Sequence, residues 1–211
     1  MKLKIRPESF PYALILFIVF VVFYFINKLL SILPLLLILF VLFFFRDPER
    51  NITTDEKCFL SPADGKVIEI SEIYEDQFFK SKAIKVSIFL SLFNIHVNRS
   101  PITGKVTYKS YRPGKYLPAF KSHASEINER NTIGIENEYT KVLVHQITGF
   151  VARRIVCWSN IGDFLKQGER FGLIKFGSCT EIIVPIDTEI KVKVGDSVKG
   201  GLTVIGVIKW T

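Results

Sequence analysis

Cysteine is scarce in this chain of 211 residues, which contains only Cys58, Cys157 and Cys179. Their number is odd, and their spacing lacks the close pairs that disulfide frameworks and thiolate zinc sites use. A secreted protein held together by disulfides is therefore excluded. We expect a reducing compartment and no metal site.

Charge is almost absent from residues 11–45, where the strongly polar side chains are those of Asn27 and Lys28. One helix over this stretch would be about 50 Å long, against a bilayer core of about 30 Å. A break at Asn27 gives two short apolar arms. We therefore predict a hairpin membrane anchor at 1–45, a charged linker at 46–57 and one domain at 58–211. A single helix kinked at Pro34 and a cleaved signal peptide stay open as alternatives.

Acidic residues are outnumbered, and the formal net charge is +8. This balance suits nucleic acid or an anionic membrane surface, and the apolar N-terminus favours the membrane. Lys and Arg flank both ends of the apolar stretch, while only Lys28 lies between its arms. Because positive charge marks the cytoplasmic side of membrane segments, we predict a protein of the cell membrane whose domain is cytoplasmic.

The remainder of the chain has β-branched runs separated by Gly, Pro and Asp, which is typical of a β domain. We predict a mainly β (β-rich α+β) fold with carrier-domain-like hairpins, and helical turns within 119–130 and 160–165. The predicted strands cover residues 65–70, 83–89, 105–111, 141–148, 181–185, 189–194 and 202–210.

A seven-residue pattern, S-P-x-x-G-K-V, occurs at residues 61–67 and again at 100–106. Both copies are typical of a proline turn that leads into a strand. The fourth position is Asp64 in one copy and Thr103 in the other, so the turn itself does not need a carboxylate. Asp64 is thus a candidate for chemistry, although Asp-Gly pairs are also common in turns that do no chemistry.

Residues 194–201 (VGDSVKGG) lie between two apolar strands and resemble the tight hairpins of biotinyl and lipoyl carrier domains. A carrier needs a lysine at a protruding turn, usually beside a methionine, and the only methionine here is Met1. We interpret this hairpin as architecture.

Two further segments are candidates for chemistry: residues 93–101 (FNIHVNRSP), which contain His96, and residues 176–179 (FGSC), which contain Ser178. Each alone is a weak signal, because lone histidines are usually structural and Gly-Ser pairs usually form turns. In this order, with SPADG upstream, they resemble the phosphatidylserine decarboxylase family, in its short form with a C-terminal Gly-Ser processing site. The resemblance covers most of the chain beyond residue 45 and includes residues 46–50, 128–131, 152–156 and 170–185.

The resemblance implies a proenzyme that cuts itself between Gly177 and Ser178. Ser178 would become a covalent pyruvoyl group, with His96 as the base and Asp64 as the acid that orients the base. No metal or external cofactor would be needed. The large and small chains that result would stay together as a heterodimer.

The same resemblance implies the substrate and the reaction. The pyruvoyl carbonyl would form a Schiff base with phosphatidylserine, or a related serine phospholipid, and release carbon dioxide to give phosphatidylethanolamine in phospholipid biosynthesis. His96 is the first choice for returning the proton. Longer family members carry a second histidine three residues further on, where this chain has Arg99. The candidates for binding the phosphate or carboxylate are Arg99, Lys105, Lys115, Arg153 and Arg154.

Two other classes of function are alternatives to this one. A non-catalytic adaptor, consisting of a β domain tethered to the membrane, would remain one intact polypeptide. A nucleic-acid binder would need aromatic residues interleaved with Lys and Arg in a recognisable module, and the sequence has no such module. We therefore expect a membrane and lipid partner and no nucleic acid.

Overall fold

The computed structural model describes residues 3–115, 127–149, 154–175 and 178–208. The chain divides into two compact units, Met1–Arg50 and Asn51–Thr211. The first unit is built on two apolar helices and the second on β-strands.

The N-terminal unit contains helices α1 (Phe10–Ile26) and α2 (Ile32–Phe44), with a short 3-10 turn at Pro7–Ser9 before them. Helix α1 ends because Asn27 has an extended backbone and its side chain accepts a hydrogen bond from the backbone N–H of Leu29, at 2.8 Å. Asparagine favours turns through such local bonds. Pro34, which has no backbone N–H, lies in the first turn of α2. Backbone N–H groups in a first turn have no hydrogen-bond partner within the helix, so proline is tolerated there.

The two ends of this helical hairpin are joined by a small sheet. Strand β1 (Leu3–Ile5) pairs antiparallel with strand β2 (Arg46–Pro48). The stretch Pro7–Ile26 is long and apolar enough to cross a membrane, whereas α2 is shorter. Most large apolar side chains along both helices are exposed, which is unfavourable in water. The helical hairpin predicted before the β domain is confirmed.

The β-rich unit contains short and long strands that form three sheets in the described part of the chain. These are β3 (Cys58–Leu60), β4 (Gly65–Glu75), β5 (Ser81–Leu90), β6 (Val97–Arg99), β7 (Gly104–Arg112), β8 (Arg130–Glu136), β9 (Lys141–Thr148), β10 (Arg154–Cys157), β11 (Phe164–Leu165), β12 (Arg170–Lys175), β13 (Ser178–Pro185), β14 (Glu189–Ile190), β15 (Ser197–Val198) and β16 (Val204–Val207).

The largest sheet has eight strands in the order β11-β7-β8-β9-β13-β5-β4-β15. Two three-stranded sheets, β10-β12-β6 and β14-β16-β3, complete the unit. The main apolar core joins all three sheets and includes Phe59, Ile88, Val142, Phe171 and Ile182. Burial of these side chains is the main favourable term in the folding free energy.

The strand order of the large sheet is symmetric about its centre, which reveals an internal repeat. Read from either end, β11 matches β15, β7 matches β4, β8 matches β5 and β9 matches β13. The two smaller sheets match in the same way, and each has a shift in register at the corresponding place, between Arg170 and Gly172 and between Val204 and Gly206. The unit therefore consists of two interleaved copies of one arrangement.

The S-P-x-x-G-K-V pattern is the trace of this repeat in the sequence. The hydroxyl of Ser61 donates to the carbonyl of Ala63 at 2.7 Å, and that of Ser100 donates to the carbonyl of Ile102 at 2.6 Å. Each turn is also bound by a hairpin from later in the chain. In the first copy the backbone N–H of Gly201 donates to the backbone carbonyl of Ser61. The corresponding bond in the other copy runs from Gly168 to Ser100.

The predicted mainly β fold is confirmed, and each predicted strand overlaps an observed one. The helical turn predicted at 160–165 is wrong: Asp163 accepts a bond from the backbone of Asn160, and the chain then enters β11. In the other predicted helical stretch, residues 119–126 lie outside the described residues, and Arg130 begins a strand. Strands β3, β6 and β10 were not predicted, because with three or four residues each they show no alternating pattern. The longer strands β8 and β12 were also missed.

Candidate active site

Ser178 is the first residue of strand β13, which lies between β5 and β9. It is opposite Leu90, the last residue of β5, and opposite Thr148, the last residue of β9. From Leu90 the chain passes through a short loop to His96. Pairing within the sheet therefore places Ser178 at the end of the sheet from which the histidine segment departs.

The loop before His96 is held by its own side chains. Both the backbone N–H and the hydroxyl of Ser91 donate to the side-chain oxygen of Asn94, at 2.9 and 2.7 Å. The ring of His96 is 1% exposed, and its Nδ1 lies 3.0 Å from the carbonyl oxygen of Asn94. Because a carbonyl only accepts, this Nδ1 carries the proton, and in the neutral ring the lone pair is on Nε2. In this tautomer Nε2 is the ring nitrogen that can accept a proton.

The chain on both sides of the predicted cleavage site contacts the histidine segment. Before it, the backbone N–H of Ile174 donates to the carbonyl of His96 at 3.2 Å. After it, the hydroxyl of Thr180 accepts a hydrogen bond from the side-chain amide of Asn98 at 3.1 Å. Residues 174 and 180, which flank the bond between residues 177 and 178, are therefore fixed to one short stretch of chain.

The turn that carries Asp64 meets the same stretch. The carbonyl of Pro62 accepts hydrogen bonds from the backbone N–H of Arg99 at 2.9 Å and from the side-chain amide of Asn98 at 3.4 Å. Asp64 is 8% exposed, and its Oδ1 accepts a bond from the backbone N–H of Gly200 at 2.8 Å. The hairpin interpreted as architecture thus holds this carboxylate. The segments of Asp64, His96 and Ser178 converge around Asn98.

A buried chain of amide side chains at this place was missed from the sequence. Gln146 donates to the side-chain oxygen of Asn98 at 2.9 Å and accepts from Asn131 at 2.8 Å. Each of these three residues is at most 3% exposed. A weak signal exists in strand β9, where Gln146 interrupts the inward-facing apolar series of Val142 and Val144. The sequence does not show the hydrogen-bond partners of Gln146, because they lie on other strands.

The basic residues predicted to bind substrate are dispersed. Arg99 is buried, and its guanidinium donates to the carbonyl of Gly168 at 2.9 Å, so it supports the second turn. Lys105 lines an open cleft of about 1090 Å³ at the opposite end of the sheet. Lys115 forms a bridge with Asn128, whose side chain donates to the carbonyl of Thr148 beside Ser178. Arg154 is exposed at the start of β10, and Arg153 and Gly177 lie outside the described residues.

Titratable groups also surround β13 on its other face. Burial raises the pKa of the Cys179 thiol well above its ordinary value, which suits a neutral neighbour of Ser178. Burial likewise raises the pKa of the Glu181 carboxyl, although Lys85 opposes the shift. Burial lowers the pKa of His145, which lies opposite Glu181, well below its ordinary value. Within the described ranges, His, Cys, Asp and Glu form no group of three that could hold a metal ion.

A strand-borne serine, a buried histidine with a protonated Nδ1 and a buried carboxylate are residue types that can together form an enzyme site with an activated nucleophile. Comparison with known proteins identifies the family. The family model for phosphatidylserine decarboxylase matches residues 37–206. The chain belongs to the phosphatidylserine decarboxylase family, which is a family of enzymes.

Curated relatives support this membership over nearly the whole chain. A phosphatidylserine decarboxylase proenzyme of Carboxydothermus hydrogenoformans is 57% identical over 203 residues, which cover 96% of this chain and 95% of the relative. The protein of the same name from Symbiobacterium thermophilum is 50% identical over 77% of this chain and 76% of its own length. That from Amoebophilus asiaticus is 49% identical over 78% of this chain and 74% of its own length.

Proposed function

We propose that the chain is a proenzyme that cuts itself between Gly177 and Ser178 and then decarboxylates phosphatidylserine to phosphatidylethanolamine. The relatives' names support the proenzyme and the substrate. One structural observation carries the location of the cut: Ile174 and Thr180, on the two sides of this bond, are both hydrogen-bonded to the segment that contains His96.

Self-cleavage begins with attack of the Ser178 hydroxyl oxygen on the carbonyl carbon of Gly177. The new C–O bond replaces the C–N bond, so the amide becomes an ester. Loss of a proton from the α-carbon of residue 178 then breaks the bond between its β-carbon and oxygen, which releases residues 1–177 with a carboxylate terminus. The dehydroalanine that remains takes up water and loses ammonia to leave a pyruvoyl group on residues 178–211.

His96 and Asp64 act as base and electrostatic support in this proposal. His96 accepts the hydroxyl proton on Nε2, because Nδ1 is bound to the Asn94 carbonyl. The negative charge of Asp64 stabilises the imidazolium that results. Since the Asn94 carbonyl already orients the ring, the main contribution of Asp64 is its charge.

The surroundings of Ser178 fit a group formed at a new chain terminus. Strand β13 is paired with β5 from Ser178 to Pro185 and with β9 from Ser178 to Ile183. Residue 178 therefore stays in the sheet after the cut, and the two products remain one folded heterodimer. The pyruvoyl carbonyl supplies an electron sink when the substrate loses carbon dioxide. His96, held close by Ile174, returns a proton to the substrate's α-carbon.

The membrane location is part of the same proposal. Both ends of the helical hairpin are joined through β1 and β2, so they lie on one side of any bilayer that the hairpin enters. The flanking Lys and Arg residues favour the cytoplasm for that side. The anchor would supply a high local concentration of lipid substrate.

We retain Lys115, Arg153 and Arg154 as the proposed binders of the lipid phosphate or carboxylate. Lys115 is joined through Asn128 to the strand end beside Ser178. Arg154 begins β10, which pairs with the strand leading to the cleavage site. Arg99 and Lys105 are better explained by the turn and the distant cleft that they serve.

The test of this function is a decarboxylation assay on the full-length chain in vesicles that contain phosphatidylserine labelled at the serine carboxyl. The wild-type protein should release labelled carbon dioxide, and Ser178→Ala should release none. A wild-type protein that binds the vesicles, stays one chain and releases no carbon dioxide would support the non-catalytic adaptor instead.

A further inference from the structure

We propose that Asn98 is a positioning residue for self-cleavage, and that its amide, together with Thr180 and Gln146, holds the three segments of the site in register. This inference rests on the proposed function, because it concerns the same cut. It assigns a role to residues for which the family resemblance and the sequence patterns implied none.

The first argument is the position of Asn98 among the three segments. Its side-chain amide nitrogen contacts Pro62, two residues before Asp64, and Thr180, two residues after Ser178. Asn98 itself lies two residues after His96. One fully buried side chain therefore touches the turn of the carboxylate and the strand of the serine while standing on the segment of the histidine.

The second argument is that the amide is fixed from its other side as well. The side-chain oxygen of Asn98 accepts a hydrogen bond from Gln146, and Gln146 accepts one from Asn131. Gln146 lies opposite Thr180 in the sheet, so the contacts form a closed set. Directional bonds of this kind hold distances more tightly than apolar packing does, and a buried network must satisfy every member.

The third argument comes from the internal repeat, which shows that the fold does not need these polar groups. Asn98 lies opposite Gly172, and at the corresponding place in the other small sheet Phe59 lies opposite Gly206. The counterpart of Asn98 is therefore Phe59, a fully buried residue of the apolar core.

The counterpart of Thr180 is Val142, which is also apolar. In one copy the motif residue Val67 lies opposite Ile88, which lies opposite Thr180. In the other copy Val106 lies opposite Ile135, which lies opposite Val142.

The two central strands extend the correspondence to Gln146. Ile182 and Val144 lie opposite each other where the two copies meet, so they correspond to each other. Two residues further along each strand, Gln146 therefore corresponds to Val184 of the apolar core. The same backbone is thus packed with apolar side chains at one end and with amides and a hydroxyl at the other.

The difference between the apolar and the polar end of the sheet is explained if the polar end holds the reacting atoms at fixed positions. Burying an amide costs free energy unless it is fully hydrogen-bonded, so an apolar packing would be the simpler way to stabilise the sheet. Attack by a hydroxyl requires a separation of about 3 Å from the carbonyl carbon, and a misplacement of about 1 Å can cost roughly a hundredfold in rate. The network supplies that precision.

The test uses the full-length chain, synthesised in a cell-free reaction with phospholipid vesicles, and follows the fraction of cut chain with time. Thr180→Val, which keeps the shape and removes the hydroxyl, should slow cleavage at least about tenfold, and Asn98→Leu about a hundredfold. Thr180→Ser restores the hydroxyl and should recover most of the rate lost in Thr180→Val. A residue with only a packing role would show the reverse order, because serine leaves a cavity that valine fills.

Thermal unfolding separates positioning from stability. The same substitutions are placed in the uncut Ser178→Ala chain, and Phe59→Leu provides the matched core change in the other copy. Phe59→Leu should lower the unfolding temperature of the uncut chain, and in the chain that keeps Ser178 it should leave the cleavage rate unchanged. Thr180→Val removes one hydrogen bond of the buried Asn98 amide, so some stability is lost, but cleavage should slow far more than that loss would explain.

The proposal is overturned if Thr180→Val and Asn98→Leu cut as fast as the wild-type chain, or if their loss of rate follows their loss of stability as one common trend with Phe59→Leu. A wild-type chain that is never cut after Gly177 would contradict the proposed function itself. The two failures are therefore distinguishable.

Discussion

The two ends of the eight-stranded sheet have the same backbone arrangement and different chemistry. At one end the turn carries Asp64, bound by the backbone N–H of Gly200 at 2.8 Å. At the other end the equivalent turn carries Thr103, bound by the backbone N–H of Gln167 at 3.0 Å. A hydroxyl therefore satisfies the turn as well as a carboxylate does, and the negative charge of Asp64 is not needed for the fold.

The comparison extends to the other residues of the site. Ile174 donates to the carbonyl of His96, and in the other copy Ile208 donates to the carbonyl of Lys57. On the outer face of the sheet, His145 lies opposite Glu181, and the corresponding pair is Leu143 opposite Ile183. The apolar end of the sheet shows what the arrangement needs in order to fold. The polar end, to which both copies contribute residues, shows which residues have been added for chemistry.

The largest effect is expected from His96→Ala, which removes the proposed base. Cleavage should be abolished or slowed at least about a hundredfold, because a neutral hydroxyl is a weak nucleophile without a group to accept its proton. The measurement is the fraction of cut chain on a denaturing gel. Lys57→Ala is the matched control at the counterpart position, and it should cut at the wild-type rate. Equal loss in both variants would contradict the assignment of His96.

The next effect is expected from Asp64→Asn compared with Thr103→Val. Asparagine keeps an oxygen for the N–H of Gly200 and removes only the charge, so cleavage should fall steeply while circular dichroism stays unchanged. Thr103→Val removes the acceptor for Gln167 and should lower the free energy of unfolding by about 1 kcal/mol without slowing cleavage. If both variants are poorly folded and equally slow, Asp64 is a structural residue of the turn.

A smaller effect concerns the pH dependence of stability. Burial, together with Arg130 and Lys85, holds the pKa of His145 well below its ordinary value of 6.5. The unfolded chain therefore binds more protons below that pH, and the free energy of unfolding should fall by up to about 1.4 kcal/mol for each pH unit below 6.5. Above pH 6.5 His145 should cause no such loss of unfolding free energy.

Replacing His145 by an apolar residue, as in the other copy, should remove this acid sensitivity. His145→Val in the uncut Ser178→Ala chain should give a flatter curve of unfolding free energy between pH 6.5 and 5 in urea titrations. Curves of equal slope for the two proteins would show that His145 is not the titrating group.

The sequence predicted the parts of this molecule that local patterns encode. The long strands, the break at Asn27 and the repeated turn are all visible in short stretches, since each depends on residues close in the chain. The positions of Ser178 and His96 within motifs also drew attention to them. These features account for the fold class and for the choice of candidate residues.

The sequence did not predict the network or the full extent of the repeat, because both depend on pairing between distant strands. Asn98 meets Pro62, Gln146 and Thr180 from three other parts of the chain. The counterpart of Asn98 is Phe59, and no similarity of side chains links the two. Only the register of the sheets shows that they occupy equivalent places.

The most direct test of the whole account is the intact mass of the purified wild-type chain. We predict two chains, residues 1–177 and residues 178–211, with the shorter one beginning in a pyruvoyl group that blocks Edman sequencing. Ser178→Ala should remain one chain of about 24.2 kDa. A wild-type protein that is fully active on phosphatidylserine and yet gives one uncut mass would contradict the account.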